Sequence, residues 1–249
     1  MGSLVPIPLD ATWVRFPRFV GDAVMQFPIL RLLRQMGIGP LVVSGPAHTV
    51  SLVQDHELAD CVVPETKKYG VIDLYKVFKE NRAARSIHFP KSLRPAIAAW
   101  LAGVPERIGV SDGGQFLFNT HHAPFWNTSG PFIARYHAAL AKRWPDLPSL
   151  SFADYVPAIQ VDKTKNSYIC LMPGSVWPSK SWPVEYFHEL ARIARESALD
   201  VVILGAASEK ELGDAISDGY GQNLCGQTNL RQAAAWLHGA VAAVGNDSG

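Results

Sequence analysis

The sequence predicts an α/β protein with two doubly wound, mostly parallel sheets, one in each half of the chain. Three observations predict it. Short apolar runs of strand length recur, such as Leu41-Val-Val-Ser44 and Leu199-Asp-Val-Val-Ile-Leu-Gly205. Amphipathic helical stretches separate them, as βαβ units require. The alternation breaks across an irregular region at 111–160, rich in Pro, Asn, His and aromatics, and restarts at Tyr168. The expected division is a domain over 1–155 and a second over 165–249, with a linker at about 145–165.

In the first half, Trp13-Val-Arg-Phe16 is a strand and Pro17-Arg-Phe-Val-Gly-Asp22 the loop after it. A helix runs on to Gly37, with Ala23, Phe27, Leu30 and Leu33 on one face and Arg31 and Arg34 pointing away. Asp22 therefore stands at the N-cap or in the first turn, at the C-terminal end of a strand. In an open α/β sheet that edge is where ligands bind. As a plain cap Asp22 would contribute about 1 kcal/mol. Capping and catalysis are compatible, because a capped carboxylate is a positioned one.

Leu41–Ser44 and Cys61–Val63 are the next strands, with helical text between them. Val71 to Arg85 reads as an amphipathic helix, Val71, Leu74 and Phe78 opposing Lys76, Lys79 and Arg82. Ser86–Phe89 returns to strand and enters the loop Pro90-Lys-Ser-Leu-Arg94. A helix over Ala96–Leu101, a turn at Gly103-Val-Pro105 and a strand over Arg107–Val110 follow.

In the second half, the strand Tyr168–Met172 runs into Pro173-Gly-Ser-Val-Trp-Pro-Ser-Lys-Ser-Trp-Pro183. Pro183 suits the first turn of the next helix, whose apolar face is Phe187, Leu190, Ala191 and Ala194. Free backbone N–H groups and the positive end of a helix dipole converge at such a junction, so this loop favours an anion such as a phosphate. An ordinary βα loop with a solvated lysine reads the same locally. Then come the strand Leu199–Gly205, a helix Ser208–Ile216, a short strand Asn223–Cys225, a helix Leu230–His238 and a strand Ala240–Val244. Gly245-Asn-Asp-Ser-Gly249 after it should open a helix, and no helix follows.

Of 249 residues, 48% are apolar and 18% charged, so a sizeable core is available. The net charge of +1 argues against a protein that coats nucleic acid. Positive charge is nevertheless concentrated: Lys67 to Arg94 holds eight basic residues against Asp73 and Glu80. Such a run is a solvated helix face or the mark of an anionic partner. Cys61, Cys170 and Cys225 form no CxxC pair and read as small core residues in a reducing compartment. No secretory signal opens the chain and no run reaches about 18 apolar residues. The expectation is a cytoplasmic protein that at most touches a membrane surface.

Several chemistries fail on the residues. Gly174 and Ser179-Lys180-Ser181 approach G-x-x-x-x-G-K-[ST], but Ser179 replaces the second glycine and Trp177-Pro178 stiffens the turn that must curl round a phosphate. Gly37 and Gly39 lie after a helix and before a strand, the wrong order for a dinucleotide fingerprint. There is no Asp-x-Asp, no HExxH and no Gly-x-Ser-x-Gly, and His121-His122 marks a polar loop. What survives is two α/β halves with polar loops at their strand ends. One offers a carboxylate, Asp22, with Arg18, Lys91 and Arg94. The other offers Ser175, Lys180 and the terminal Asp247-Ser-Gly249.

Together these segments resemble the bacterial ADP-heptose:lipopolysaccharide heptosyltransferases, glycosyltransferase family 9 with the GT-B fold. The resemblance covers most of the chain. It is carried by Pro17-Arg-Phe-Val-Gly-Asp-Ala-Val24, by Phe89-Pro-Lys-Ser92 with Ala102-Gly-Val-Pro105, by Pro173-Gly-Ser175 with Lys180-Ser-Trp-Pro183, and by Asn246-Asp-Ser-Gly249. The second of these is closer to the heptosyltransferase II branch than to the I branch.

The resemblance implies two GT-B halves and inverting transfer of heptose from ADP-heptose to the lipopolysaccharide inner core. Asp22 would be the general base, and Ser175 and Lys180 with a helix N-terminus would hold the diphosphate. Glu209 would meet the donor ribose, and Asp247, Ser248 and Gly249 would line the donor site. Arg18, Lys91, Ser92 and Arg94 would face a phosphorylated lipid A–Kdo/heptose acceptor, with peripheral contact at the cytoplasmic face of the inner membrane. No cofactor or metal is implied. Family members continue past Asp-Ser-Gly with a histidine-containing helix, so the resemblance implies an incomplete C-terminal half. Two other readings stay open: a non-catalytic nucleotide-sugar-binding or lipopolysaccharide-assembly module, and a P-loop-type NTPase or kinase.

Overall fold

The structure is a computed structural model and describes residues 7–53, 57–65, 67–88, 92–124, 132–150 and 167–247. It divides into two units, Met1–Pro157 and Ala158–Gly249. The linker expected at about 145–165 falls largely on residues 151–166, outside the described residues.

In the first unit, β1 (Thr12–Arg15), β2 (Leu41–Pro46), β3 (Cys61–Glu65), β4 (Arg85–His88), β5 (Glu106–Ser111) and β6 (His121–Pro124) form one parallel sheet in the order β3-β2-β1-β4-β5-β6. The strand order reverses between β1 and β4, which makes a crevice at their C-terminal ends. The helices are α1 (Val20–Val24), α2 (Phe27–Gln35), α3 (Ala47–Val50), α4 (Val71–Glu80), α5 (Leu93–Leu101) and α6 (Phe132–Ala141). On one face of the sheet, Val14, Val43, Ile87 and Ile108 pack with Leu30 and Leu33 of α2 and Tyr136 and Leu140 of α6. On the other, Trp13 and Val42 pack with Leu74 and Phe78 of α4 and Ala98 of α5. Trp13 and Phe78 meet edge to face at 5.9 Å. Burying each large apolar side chain contributes roughly 1.5–3 kcal/mol, so the two layers fix the strand ends firmly.

Four expectations are corrected here. The helix expected from Asp22 to Gly37 is two helices, broken at Met25 and Gln26. Pro28, in the first turn of α2, has no N–H to bond the Val24 carbonyl, so one continuous ladder cannot form. The helix expected to reach Arg85 ends at Glu80, because Arg82 takes a positive φ of 46°. Leu93, not Ala96, opens α5, with Ser92 as its N-cap. Lastly, the region read as irregular holds β6 and α6, and His121-His122 lies on a strand. That strand lacks an apolar run because it is short and sits at the sheet edge.

In the second unit, β7 (Tyr168–Met172), β8 (Asp200–Ile203), β9 (Gln222–Asn223) and β10 (Ala242–Gly245) form a parallel sheet in the order β10-β7-β8-β9. Helices α7 (Val184–Glu196) and α8 (Lys210–Ser217) cover one face, where Phe187, Ala191 and Ile216 pack on Leu171 and Ile203. On the other face α9 (Leu230–Gly239) lays Ala233, Trp236 and Leu237 against Cys170, Val202 and Leu224. The three cysteines are buried and unbridged. Pro183 is the N-cap of α7 rather than part of its first turn. Two strands shift by a residue or two from expectation, to 222–223 and 242–245. The reversal point lies between β7 and β10, so the loops after those strands share one crevice. Among the described residues no helix is long and apolar enough to cross a membrane.

Candidate active site

Each unit carries a polar site at its strand ends. In the first, β1 ends at Arg15 and the chain turns through Phe16 to Phe19 into α1, which places half-buried Asp22 in the first helical turn. Phe19, not Asp22, is the N-cap. Asp22 lies in the wall of a cavity of about 780 Å³. Arg18, Ser92 and Arg94, expected to join it, line the same cavity. Lys91 lies outside the described residues.

The local hydrogen bonds explain how these groups are held. The Ser92 hydroxyl accepts from the Arg94 backbone N–H at 3.4 Å and from Arg94 Nε at 3.2 Å. Arg94 Nη1 donates to the Tyr69 carbonyl at 3.0 Å, so this arginine also ties α5 to the segment before α4. His48 Nε2 donates to the Arg18 carbonyl at 2.8 Å and holds the loop after β1 against α3.

The structure adds residues that the sequence did not single out. Arg15 and Glu65 meet in the cavity with Nη2 2.8 Å from Oε1. Tyr136 of α6, 2% exposed, stands in the same wall as Asp22. Its phenol is pushed well above the usual range, first by burial and then by the negative charge of Asp22. A helical spacing was available for Tyr136, since Ile133, Tyr136 and Leu140 share a face, but the surrounding polar text masked it. At the end of β4, fully buried His88 donates from Nε2 to Asn119 Oδ1 at 2.7 Å, and burial lowers its pKa to about 4.

In the second unit, the loop after β7 makes a single 3-10 turn at Pro178–Lys180 before α7 begins. A P-loop lysine would sit at the helix start; Lys180 precedes α7. Its Nζ lies 2.6 Å from Asp247 Oδ2, in the loop after β10. Asn246 locks the two loops together: Nδ2 donates to the Pro173 carbonyl at 2.6 Å and Oδ1 accepts the Trp182 N–H at 2.8 Å. The Ser175 hydroxyl donates to the Trp177 carbonyl at 3.1 Å and accepts its N–H at 3.3 Å, so it shapes the turn.

Glu209 ends a 3-10 turn, and its Oε2 accepts the Ala206 N–H at 2.7 Å. Its carboxylate lies so close to Gly174 that a Cβ there would stand 1.9 Å from Oε1. The loop needs that glycine for close approach. Glu209 and Lys180 are thus both brought to the loop after β7, with Asp247 beside Lys180. Ser248 and Gly249 lie outside the described residues.

Two parallel, doubly wound units with polar loops at the carboxyl ends of their strands are the architecture of GT-B glycosyltransferases. The model of glycosyltransferase family 9 (heptosyltransferase) matches residues 71–249, and the chain belongs to that family. It is 25% identical to lipopolysaccharide heptosyltransferase 2 of Escherichia coli K12, over 94% of this chain and 76% of that protein. The solved E. coli ADP-heptose lps heptosyltransferase II superposes with a TM-score of 0.78 at 24% identity, covering 96% of this chain and 79% of that one. E. coli heptosyltransferase WaaC, solved with ADP-2-deoxy-2-fluoro heptose, gives 0.73 at 15% identity, covering 95% and 82%.

Proposed function

We propose that this chain moves heptose from ADP-heptose to a sugar hydroxyl of the lipopolysaccharide inner core, with inversion at the anomeric carbon. Asp22 takes the proton of the acceptor hydroxyl while its oxygen attacks that carbon. The bond from the carbon to the diphosphate breaks, and ADP leaves with its electrons. Base catalysis of this kind contributes about 10²–10⁴-fold. Lys180 and the amino end of α7, in a turn shaped by Ser175, hold the diphosphate and offset its growing charge. Glu209 takes the ribose, and Asp247, Ser248 and Gly249 complete the donor side. Arg18, Lys91, Ser92 and Arg94 receive a phosphorylated lipid A–Kdo/heptose acceptor at the cytoplasmic face of the inner membrane. The mechanism calls on no metal.

Family membership supports transfer of a glycosyl group, and the names of the relatives support heptose and lipopolysaccharide. One observation carries the residue-level reading: Asp22 stands in the first turn after β1, in a cavity also lined by Arg18, Lys67, Lys68 and Arg94. The test is a transfer assay with ADP-heptose and an inner-core acceptor lacking the terminal heptose. Release of ADP matched by a mass gain of one heptose on the acceptor is the expected result. Donor consumption with no change in acceptor mass would contradict the proposal.

A further inference from the structure

The cavity beside Asp22 is uneven in charge. Arg18, Lys67, Lys68 and Arg94 are basic and belong to its lining, and Lys67 is itself largely exposed. At its floor, Arg15 and Glu65 are the last residues of β1 and β3, two strands separated in the sheet by β2. Their side chains are 13% and 4% exposed, and they meet across the end of β2 with Nη2 2.8 Å from Oε1.

This pair is poorly explained as a stabilising device. Taking two charges out of water costs several kcal/mol per ion, and their attraction offsets it only with good geometry and full hydrogen bonding. Neither condition holds. The Oε1 atom of Glu65 is buried without an aligned hydrogen bond, and Arg15 Nη1 is buried with no partner among the described residues. The cavity lining therefore holds a carboxylate acceptor next to a guanidinium donor, uncharged in sum, largely buried and, among the described residues, with hydrogen-bonding capacity unused. Neighbouring hydroxyls on a sugar ring match that pattern, since each can donate and accept. A phosphate or carboxylate at the same place would gain from Arg15 about what it loses to Glu65, so the pair gives an anion no net advantage.

We infer that the Arg15–Glu65 pair is a specificity subsite that receives the neutral, hydroxyl-bearing face of the acceptor sugar, leaving the acceptor's anionic groups to the surrounding basic residues. The inference rests on the acceptor reading proposed above. It divides the cavity into a salt-insensitive floor that reads hydroxyls and a salt-sensitive rim that reads charge.

The experiment compares Glu65→Gln with a Lys67→Ala/Lys68→Ala double variant, measuring kcat and KM for acceptor and donor at low and high salt. Glu65→Gln should lower kcat/KM for the acceptor on the order of tenfold to a hundredfold, the loss expected for one charged hydrogen bond. Its KM for ADP-heptose should not move, and the defect should be the same at both salt concentrations. The double variant should lose acceptor affinity mainly at low salt.

A wild-type measurement guards against a variant that fails to fold. Acceptors lacking single hydroxyls next to the reacting one should show a comparable loss for at least one position. In Glu65→Gln that penalty should vanish. Wild-type acceptor kinetics in Glu65→Gln, or equal penalties for donor and acceptor, would overturn the inference and leave the transfer reaction standing. Absence of heptosyl transfer by the wild-type protein would overturn the proposed function and this inference together.

Discussion

Lys180 Nζ and Asp247 Oδ2 lie 2.6 Å apart and join the loop after β7 to the loop after β10. The lysine side chain is 45% exposed and the aspartate 83%, so the pair adds little to stability, about 0–1 kcal/mol. Its value is positional. It holds one cation at the strand-end crevice, close to the amino end of α7, where the proposed diphosphate would sit. A diphosphate binding there must compete with Asp247 for the ammonium group.

Replacing Lys180 with Ala should therefore separate binding from folding. The KM for ADP-heptose and the Kd for ADP should rise at least about tenfold, as expected for loss of a charged contact, while the urea midpoint barely moves. Titration calorimetry with ADP and an unfolding curve on the same sample check it. Unchanged ADP affinity would remove Lys180 from the donor site.

Gly174 and Glu209 give a second test. An alanine Cβ at 174 would stand 1.9 Å from Glu209 Oε1, so Gly174→Ala must push the carboxylate out of place. Such overpacking costs roughly 1–3 kcal/mol. Adding Glu209→Ala removes the clash, so the double variant should be more stable than Gly174→Ala alone. Both should bind ADP-heptose more weakly than wild type. Additive losses in unfolding experiments would show that the two residues do not touch.

His88 predicts a pH dependence of stability. Its pKa is about 4 in the fold against an ordinary 6.5, because burial disfavours the charged ring. Between those values the unfolded chain binds a proton that the folded chain does not. Stability from this residue is thus complete above about pH 6.5 and falls as pH drops toward 4. The slope for one proton is about 1.4 kcal/mol per pH unit. Urea unfolding of wild type and His88→Gln from pH 4.5 to 7.5 should show a shallower slope in the variant by about that amount. Parallel slopes would contradict a neutral buried His88.

Much of this was legible in the sequence because buried parallel strands leave apolar runs and because ligand groups gather where those runs end. Asp22, Arg18 and Arg94 were placed by that logic, Ser92 by the family resemblance, and the four line one cavity. Lys180 and Asp247 were likewise placed, and they meet. What was not legible has physical reasons. Pro28 breaks a helix whose apolar spacing is otherwise continuous, since periodicity reports faces and not backbone donors. The edge strand β6 carries His121-His122-Ala-Pro124 and no apolar run, so α6 and its Tyr136 were lost with it. Arg15 and Glu65 pair across β2, and no local pattern marks two charges that become neighbours only when three strands align.

The proposed base is Asp22. Asp22→Asn, nearly isosteric, should be assayed for kcat with saturating ADP-heptose and acceptor, alongside ADP affinity. A base at this position requires a fall in kcat of about 10²–10⁴-fold with ADP affinity unchanged. Turnover at the wild-type rate would contradict it.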